Sequence, residues 1–139
     1  MKLVKADYEH LEILAQMNLE LIQDEGHDNP MNLAQLHSRM ANWLEGEYSV
    51  ALFEKNEKFI GYALWRIESE FVYLRQFFIS RSERRNGFGS VIIQKLLSLY
   101  WIEKKVRLEV LIQNKSAREF WRSVGFYEYC VTMERRPSS

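Results

Sequence analysis

The run "FVYLRQFFISRSERRNGFGSVIIQKLLSLYW", residues 71–101, changes character twice. Residues 71–79 are dominated by aromatic and aliphatic side chains and predict a strand. The far end places Ile93, Leu96, Leu97 and Tyr100 at helical spacing. Between them, "SRSERRNGFGS" (80–90) gathers Arg81, Arg84 and Arg85 against the single Glu83, together with Gly87 and Gly89. Glycine tolerates positive φ and lets a ligand approach the main chain. The first N–H groups of a helix lack intrahelical partners and carry the positive end of its dipole. A strand, a glycine turn and a helix in that order therefore suit an anion, phosphate above all. Taken alone, the same residues also suit a solvated basic turn.

No whole-molecule field accounts for the arginines. Lysines and arginines number 19 and acids 19, so the composition gives no attraction to nucleic acid or to an acidic membrane, and an anion site must be local. With 139 residues, 47% apolar and 27% charged, the chain suits one domain over 1–139, with 134–139 as a flexible tail. The single Cys130 excludes an intrachain disulfide and a cysteine-based metal cluster, and no metal is expected. The opening "MKLVKADYEH" lacks an apolar leader and no run reaches membrane-spanning length, so a cytoplasmic protein with no membrane partner is the expectation.

Outward from the central run, "KLVKA" predicts a first strand and Asp7 caps a helix carrying Leu11, Leu14, Ala15, Leu21 and Ile22 on one stripe, with Asn18 among them. A second helix aligns Leu33, Leu36, Met40, Trp43 and Leu44 and stops at Gly46. "YSVALFEK" and "FIGYALWRIE" flank Asn56-Glu57 and read as a hairpin. After the central helix, "VRLEVLIQ" predicts a strand, "NKSAREFWRS" a short helix and "GFYEYCVTMER" a closing strand. The order is mixed α/β (α+β).

The type of phosphate ligand is narrowed by what the turn lacks. A P-loop ends in Gly-Lys-Ser/Thr and no lysine is present; the dinucleotide fingerprint needs a third glycine where this chain has Ile92. Arg84-x-x-Gly87-x-Gly89, after a strand and opening a helix, instead resembles the acyl-CoA pyrophosphate loop of the GNAT superfamily of N-acetyltransferases. "LEVLIQNKSAREFWRSVGF" resembles that superfamily's next strand and helix, with Asn114, Ala117, Phe120 and Gly125-Phe126 in register. The two matches together span residues 71–126.

The resemblance implies a strongly twisted central sheet of about six or seven strands with about four helices, and acetyl-CoA as cosubstrate. The backbone of Phe77, Phe78 and Ile79 would run beside the pantetheine arm. N–H groups of Arg84, Arg85, Asn86, Gly87, Phe88, Gly89 and Ser90 would hold the pyrophosphate, with the arginine side chains steering and neutralising. Asn114, Ala117, Phe120 and Trp121 would line the thiol end.

Acetyl transfer to an amine needs a base, because a lysine-like amine titrates near ~10.4. Glu109, flanked by Leu108 and Val110, matches the catalytic glutamate of some family members and is the candidate, against a structural role in an ion pair. Tyr73, where other members carry a glutamate, would position a water. Many members have a tyrosine acid where this chain has Trp121, whose indole N–H has no useful acidity. Tyr127 or Tyr129 would have to substitute, or the thiol, near pKa ~8.5, would leave as its anion. On the acceptor side, Asp24, Glu25 and Asp28 in "QDEGHD" would attract a cationic small-molecule or peptide amine or form a solvated helix-ending turn, and Asn18 would contact the acceptor or lie buried with partners. A CoA-binding sensor without turnover is the competing function. A missing last strand would expose a sheet edge at which a homodimer partner can pair.

Overall fold

Five strands pair side by side in the order β1 (Lys2–Lys5), β2 (Tyr48–Lys55), β3 (Lys58–Ile67), β4 (Phe71–Ile79) and β5 (Lys105–Arg107). The structure, a computed structural model, describes residues 1–26 and 29–137. Helices α1 (Leu11–Glu25) and α2 (Leu33–Glu45) lie between β1 and β2, α3 (Phe88–Leu99) joins β4 to β5, and α4 (Lys115–Ser123) follows. All neighbouring strands are antiparallel except β4 and β5, which are parallel. The chain divides into two compact units, Met1–Glu109 with the whole sheet and α1 to α3, and Val110–Ser139 with α4.

The mixed α+β class and the four helices agree with the sequence reading; the sheet has five strands rather than six or seven. Alternation tells which face a side chain would take, but a strand exists only where a neighbour takes up its backbone hydrogen bonds. β5 stops at Arg107, the last residue paired with β4. Residues 125–135 join no ladder among the described residues, and Tyr127, Tyr129, Val131 and Met133 are exposed there. Cys130, expected within that strand, is likewise exposed.

Local chemistry explains the elements that did form. Asp7 caps a 3₁₀ turn (Tyr8–His10) that runs straight into α1, its carboxylate accepting from the Glu9 N–H. Asn32 and Gln35 form a reciprocal capping box on α2. The β2–β3 hairpin turns at Asn56 and Glu57 with φ of 51° and 63°, the paired left-handed geometry that matches strand twist. On one sheet face Val50, Leu52, Tyr62, Leu64 and Phe78 pack with Leu11, Leu14 and Met17 of α1 and Met40 of α2. On the other, Trp65 meets Trp101 edge-on at 5.5 Å and Tyr100 at 5.2 Å, just beyond α3.

Part of the β4 backbone is left open by a bulge and a short ladder. Leu64 pairs with Gln76 and Trp65 with Leu74, so Arg75 is an extra residue, a β-bulge. The parallel ladder to β5 covers only Phe71, Val72 and Tyr73, and from the bulge to Ile79 the strand pairing of β4 among the described residues is with β3. Gly61 faces that end of β4, and a Cβ there would lie 2.1 Å from the Phe78 carbonyl oxygen and 2.9 Å from the Phe53 ring. Gly61→Ala is therefore expected to lower unfolding free energy by about 3 kcal/mol, as overpacking does, read by equilibrium denaturation; an unchanged midpoint would mean the strands part more readily than this.

Candidate functional site

The turn after β4 is built to leave its main chain open. A 3₁₀ turn (Arg81–Glu83) is followed by Arg84 in extended conformation, Arg85 at φ 65° and Gly87 at φ 75°. A left-handed conformation is strained for arginine and suits glycine. Gly87 occupies the N-cap position of α3 and offers no side chain to it. The first helical bond runs from the Val91 N–H to the Gly87 carbonyl, and no backbone N–H of residues 85–90 is taken up by a hydrogen bond among the described residues. Open donors at the positive end of a helix favour an anion.

Ion pairs fix this turn on both flanks. Asp24, near the end of α1, accepts from Arg81 Nη2 at 2.7 Å and from Arg84 Nη2. Arg84 Nε also donates to the Ile79 carbonyl at 2.7 Å, and its guanidinium lies 5.5 Å from the Phe78 ring centroid. On the other flank Lys55 Nζ reaches Glu83 at 2.8 Å and sits 4.7 Å from the Phe88 ring centroid. Arg81 and Arg84 are thus engaged with Asp24, and Arg85 is the exposed arginine of the turn that makes no ion pair among the described residues.

At the other end of β4, Tyr73 donates its hydroxyl to Glu109 Oε1 at 2.7 Å. Glu109 lies two residues beyond β5, so the short parallel ladder holds the two residues side by side. Burial, then the hydrogen bond to Glu109 and its charge, push the Tyr73 phenol up to about 12. Tyr73 is accordingly a proton donor, not a base, at neutral pH. The second Glu109 oxygen is left to meet a ligand.

A row of polar side chains continues from this pair across the sheet face covered by α1 and α2. The Arg66 guanidinium lies 5.6 Å from the Tyr73 ring centroid and is neutralised by Glu68, which accepts from its Nε at 2.6 Å. The Tyr48 hydroxyl accepts from Arg66 at 3.3 Å and from Arg75 at 3.2 Å. Arg75, re-aimed by the bulge, and Arg39 of α2 both lie over the Trp43 indole, at 5.1 and 4.6 Å. Burial first, and then the Arg75 charge, hold the Arg39 guanidinium below its ordinary value. Asn18 is fully buried, with its Oδ1 accepting from Arg39 Nη2 at 3.0 Å. Its Nδ2 is buried without a hydrogen-bond partner among the described residues. An open groove of about 460 Å³ runs beside α2, lined by Gln35, Ser38, Arg39 and Asn42 among others.

In the second unit, Asn114 caps α4, its Oδ1 accepting from the Ala117 N–H at 3.2 Å. Trp121 is half-buried between Phe120 and Phe126, edge-on to each at 4.9 and 5.1 Å. Gly125 turns the chain with φ 100°, and Tyr127 beyond it is exposed.

Against the sequence expectations, the structure brings Tyr73 and Glu109 together and joins Phe77, Phe78 and Ile79 to the open turn along one strand. Arg84 is held by Asp24 and the Ile79 carbonyl, and Asp24 is turned to the arginines. Asn18 serves Arg39 from the interior, and Glu25 ends α1 on the exposed side. His27 and Asp28 lie outside the described residues. Sequence reading missed Arg39, Tyr48, Arg66 and Arg75. A visible signal was available in the arginines on otherwise apolar patterns: Arg39 between Leu36 and Met40, and Arg75 inside "FVYLRQFFI".

A sequence profile described as the acetyltransferase (GNAT) family matches residues 13–126, and the chain belongs to that family. Comparison with curated proteins gives no match by sequence. The fold is shared with the crystal structure of a possible acetyltransferase from Clostridium difficile 630, at TM-score 0.80 and 16% identity over 99% of this chain and 97% of that one. A predicted acetyltransferase from Clostridium acetobutylicum, crystallised with acetyl-CoA, superposes at TM-score 0.75 with 18% identity, covering 97% and 95%. The aminoglycoside antibiotic 6'-N-acetyltransferase AAC(6')-IG from Acinetobacter haemolyticus gives TM-score 0.73 and 14% identity, covering 98% and 99%.

The Asp24 clamp carries a pH signature. Burial alone would raise its carboxyl, but the hydrogen bonds from Arg84 and Arg81 overcome that and hold it below the usual value. A group lowered in the folded state contributes stability above its unfolded pKa of ~3.9 and loses it as pH falls through the folded value. Asp24→Asn is expected to lower Tm by a few degrees at neutral pH, with the gap to the parent closing below pH ~4. A gap that persists unchanged in acid would contradict the clamp.

Proposed function

We propose that the protein transfers an acetyl group from acetyl-CoA to a primary amine of a small molecule or peptide, by direct attack. The observation that carries this reading is that one strand joins the two ends of the chemistry. From Tyr73, beside Glu109, β4 runs to the open turn, an extended span of ~20 Å at 3.3 Å per residue. Acetyl-CoA, when bound, supplies the activated acyl group and a thiolate that leaves without help from a strong acid. The residues fit it: open amides of 85–90 and the exposed Arg85 suit the pyrophosphate, and the stretch of β4 beyond the β5 ladder suits an extended arm.

Glu109 takes the proton that the amine must lose, through the oxygen that Tyr73 does not occupy. The Tyr73 hydroxyl, protonated throughout the neutral range, fixes the orientation of that carboxylate. The Trp121 indole, packed against Phe120 and Phe126, has no useful acidity and is assigned no proton transfer. Family membership supports acyl transfer, and the Tyr73–Glu109 contact supports an amine as the group acylated.

Thiol release from acetyl-CoA across a panel of amines tests the proposal. Glu109→Gln is expected to lower kcat/KM about 10²-fold near neutral pH, with the deficit shrinking as pH rises toward the amine's own ~10.4, where no base is needed. Because burial and Glu109 push the Tyr73 phenol up to about 12, Tyr73→Phe should lower kcat without moving the pH profile between 6 and 10. CoA binding with no amine-dependent release would favour a sensor instead.

The turn is tested separately by acetyl-CoA binding. Arg85→Ala should weaken binding at low salt and much less at ~1 M salt, where charge interactions are screened within ~3 Å. Gly87→Val, forced into a left-handed conformation at φ 75°, should weaken it at every salt concentration. Equal salt dependence for the two variants would count against backbone amides as the holding groups.

A further inference from the structure

Arg39 and Arg75 are two guanidiniums on one indole with no carboxylate paired to either among the described residues. The neighbouring Arg66 shows the contrast, since Glu68 neutralises it. Two like charges held close repel each other, and placing one of them half-buried adds a desolvation cost. The arrangement is nevertheless over-determined: the bulge adds Arg75 to this row, Tyr48 accepts from it, and the buried Asn18 accepts from Arg39. Arg39 Nε is buried without a partner among the described residues, and Arg39 also lines the open groove beside α2. Guanidinium groups recognise carboxylates and phosphates by paired hydrogen bonds.

We propose that Arg39 and Arg75 form an anion subsite, so that the acceptor carries a carboxylate or phosphate as well as its amine. This rests on the acetyltransferase reading above. The row of side chains then has opposite ends: Glu109 at Tyr73 receives the ammonium, and the arginines at Trp43 receive the anion. The acidic turn at Asp24, which a cationic acceptor would need, is already committed to Arg81 and Arg84. An amino-acid-like or phosphoamine acceptor satisfies both ends; a polycation leaves two arginines facing its charges.

The test uses matched acceptors with acetyl-CoA: ω-amino carboxylates of increasing length against their amides, and O-phosphoethanolamine against ethanolamine. Members with an anion are expected to show kcat/KM at least about tenfold above their neutral partners, the difference a hydrogen-bonded charge makes. The two sets distinguish carboxylate from phosphate. Arg75→Gln should erase this preference through KM, and Arg75→Lys should keep part of it; Arg75 is exposed on β4, so neither change empties the core. A merely structural arginine would lower both members of each pair alike, and that result, or equal rates for neutral and anionic members, overturns the subsite. Calorimetry of the same amines on CoA-loaded protein separates the two readings. Preferential binding of anionic members without thiol release would sink acetyl transfer and keep the subsite. Thiol release without preference would sink the subsite and keep acetyl transfer.

Discussion

The parallel ladder on β4 ends at Tyr73, two residues before the bulge at Arg75, and much of the site depends on it. Up to Tyr73 the strand is held on both edges, by β3 and by the parallel β5. After the bulge its strand pairing among the described residues is with β3, and the chain then passes into a turn whose amides from 85 to 90 are unspent. Backbone donors and acceptors that a fold leaves unmatched must find water or a ligand. In this chain the open amides of 85–90 lie at one end of the same strand whose other end carries the Tyr73–Glu109 contact.

The charges of the turn act mostly on the turn itself. Three arginines suggest a positive patch, yet Asp24 absorbs two of them and Lys55 holds Glu83. The result is a rigid bend with open amides and, among the described residues, one guanidinium outside any ion pair, that of Arg85. Groups that are already oriented need not be ordered when a ligand arrives, so the ion pairs favour binding without touching the ligand. Gly61 contributes in the same way from the next strand, since only its missing side chain lets β3 lie against the Phe78 carbonyl.

The strand, turn and helix at 71–101 were legible because each carries a local signal: β-forming residues, glycines at the bend, helical spacing. Tyr73 and Glu109 were legible separately, and their contact was not, because it depends on a three-pair ladder between residues far apart in sequence. The role of Asp24 was read with the wrong partner for a related reason: an acidic helix end looks solvated until the arginines of another element reach it. Residues 125–135 alternate as a strand should, yet no strand forms there among the described residues. Arg39 and Arg75 were hidden among apolar residues, where a pattern reading sees core.

Backbone amide chemical shifts, followed by NMR as acetyl-CoA is added, test the central claim most directly. The largest changes are expected on residues 85–90, with smaller ones on β4 beyond Arg75. Saturable binding that leaves the amides of 85–90 unmoved would contradict it.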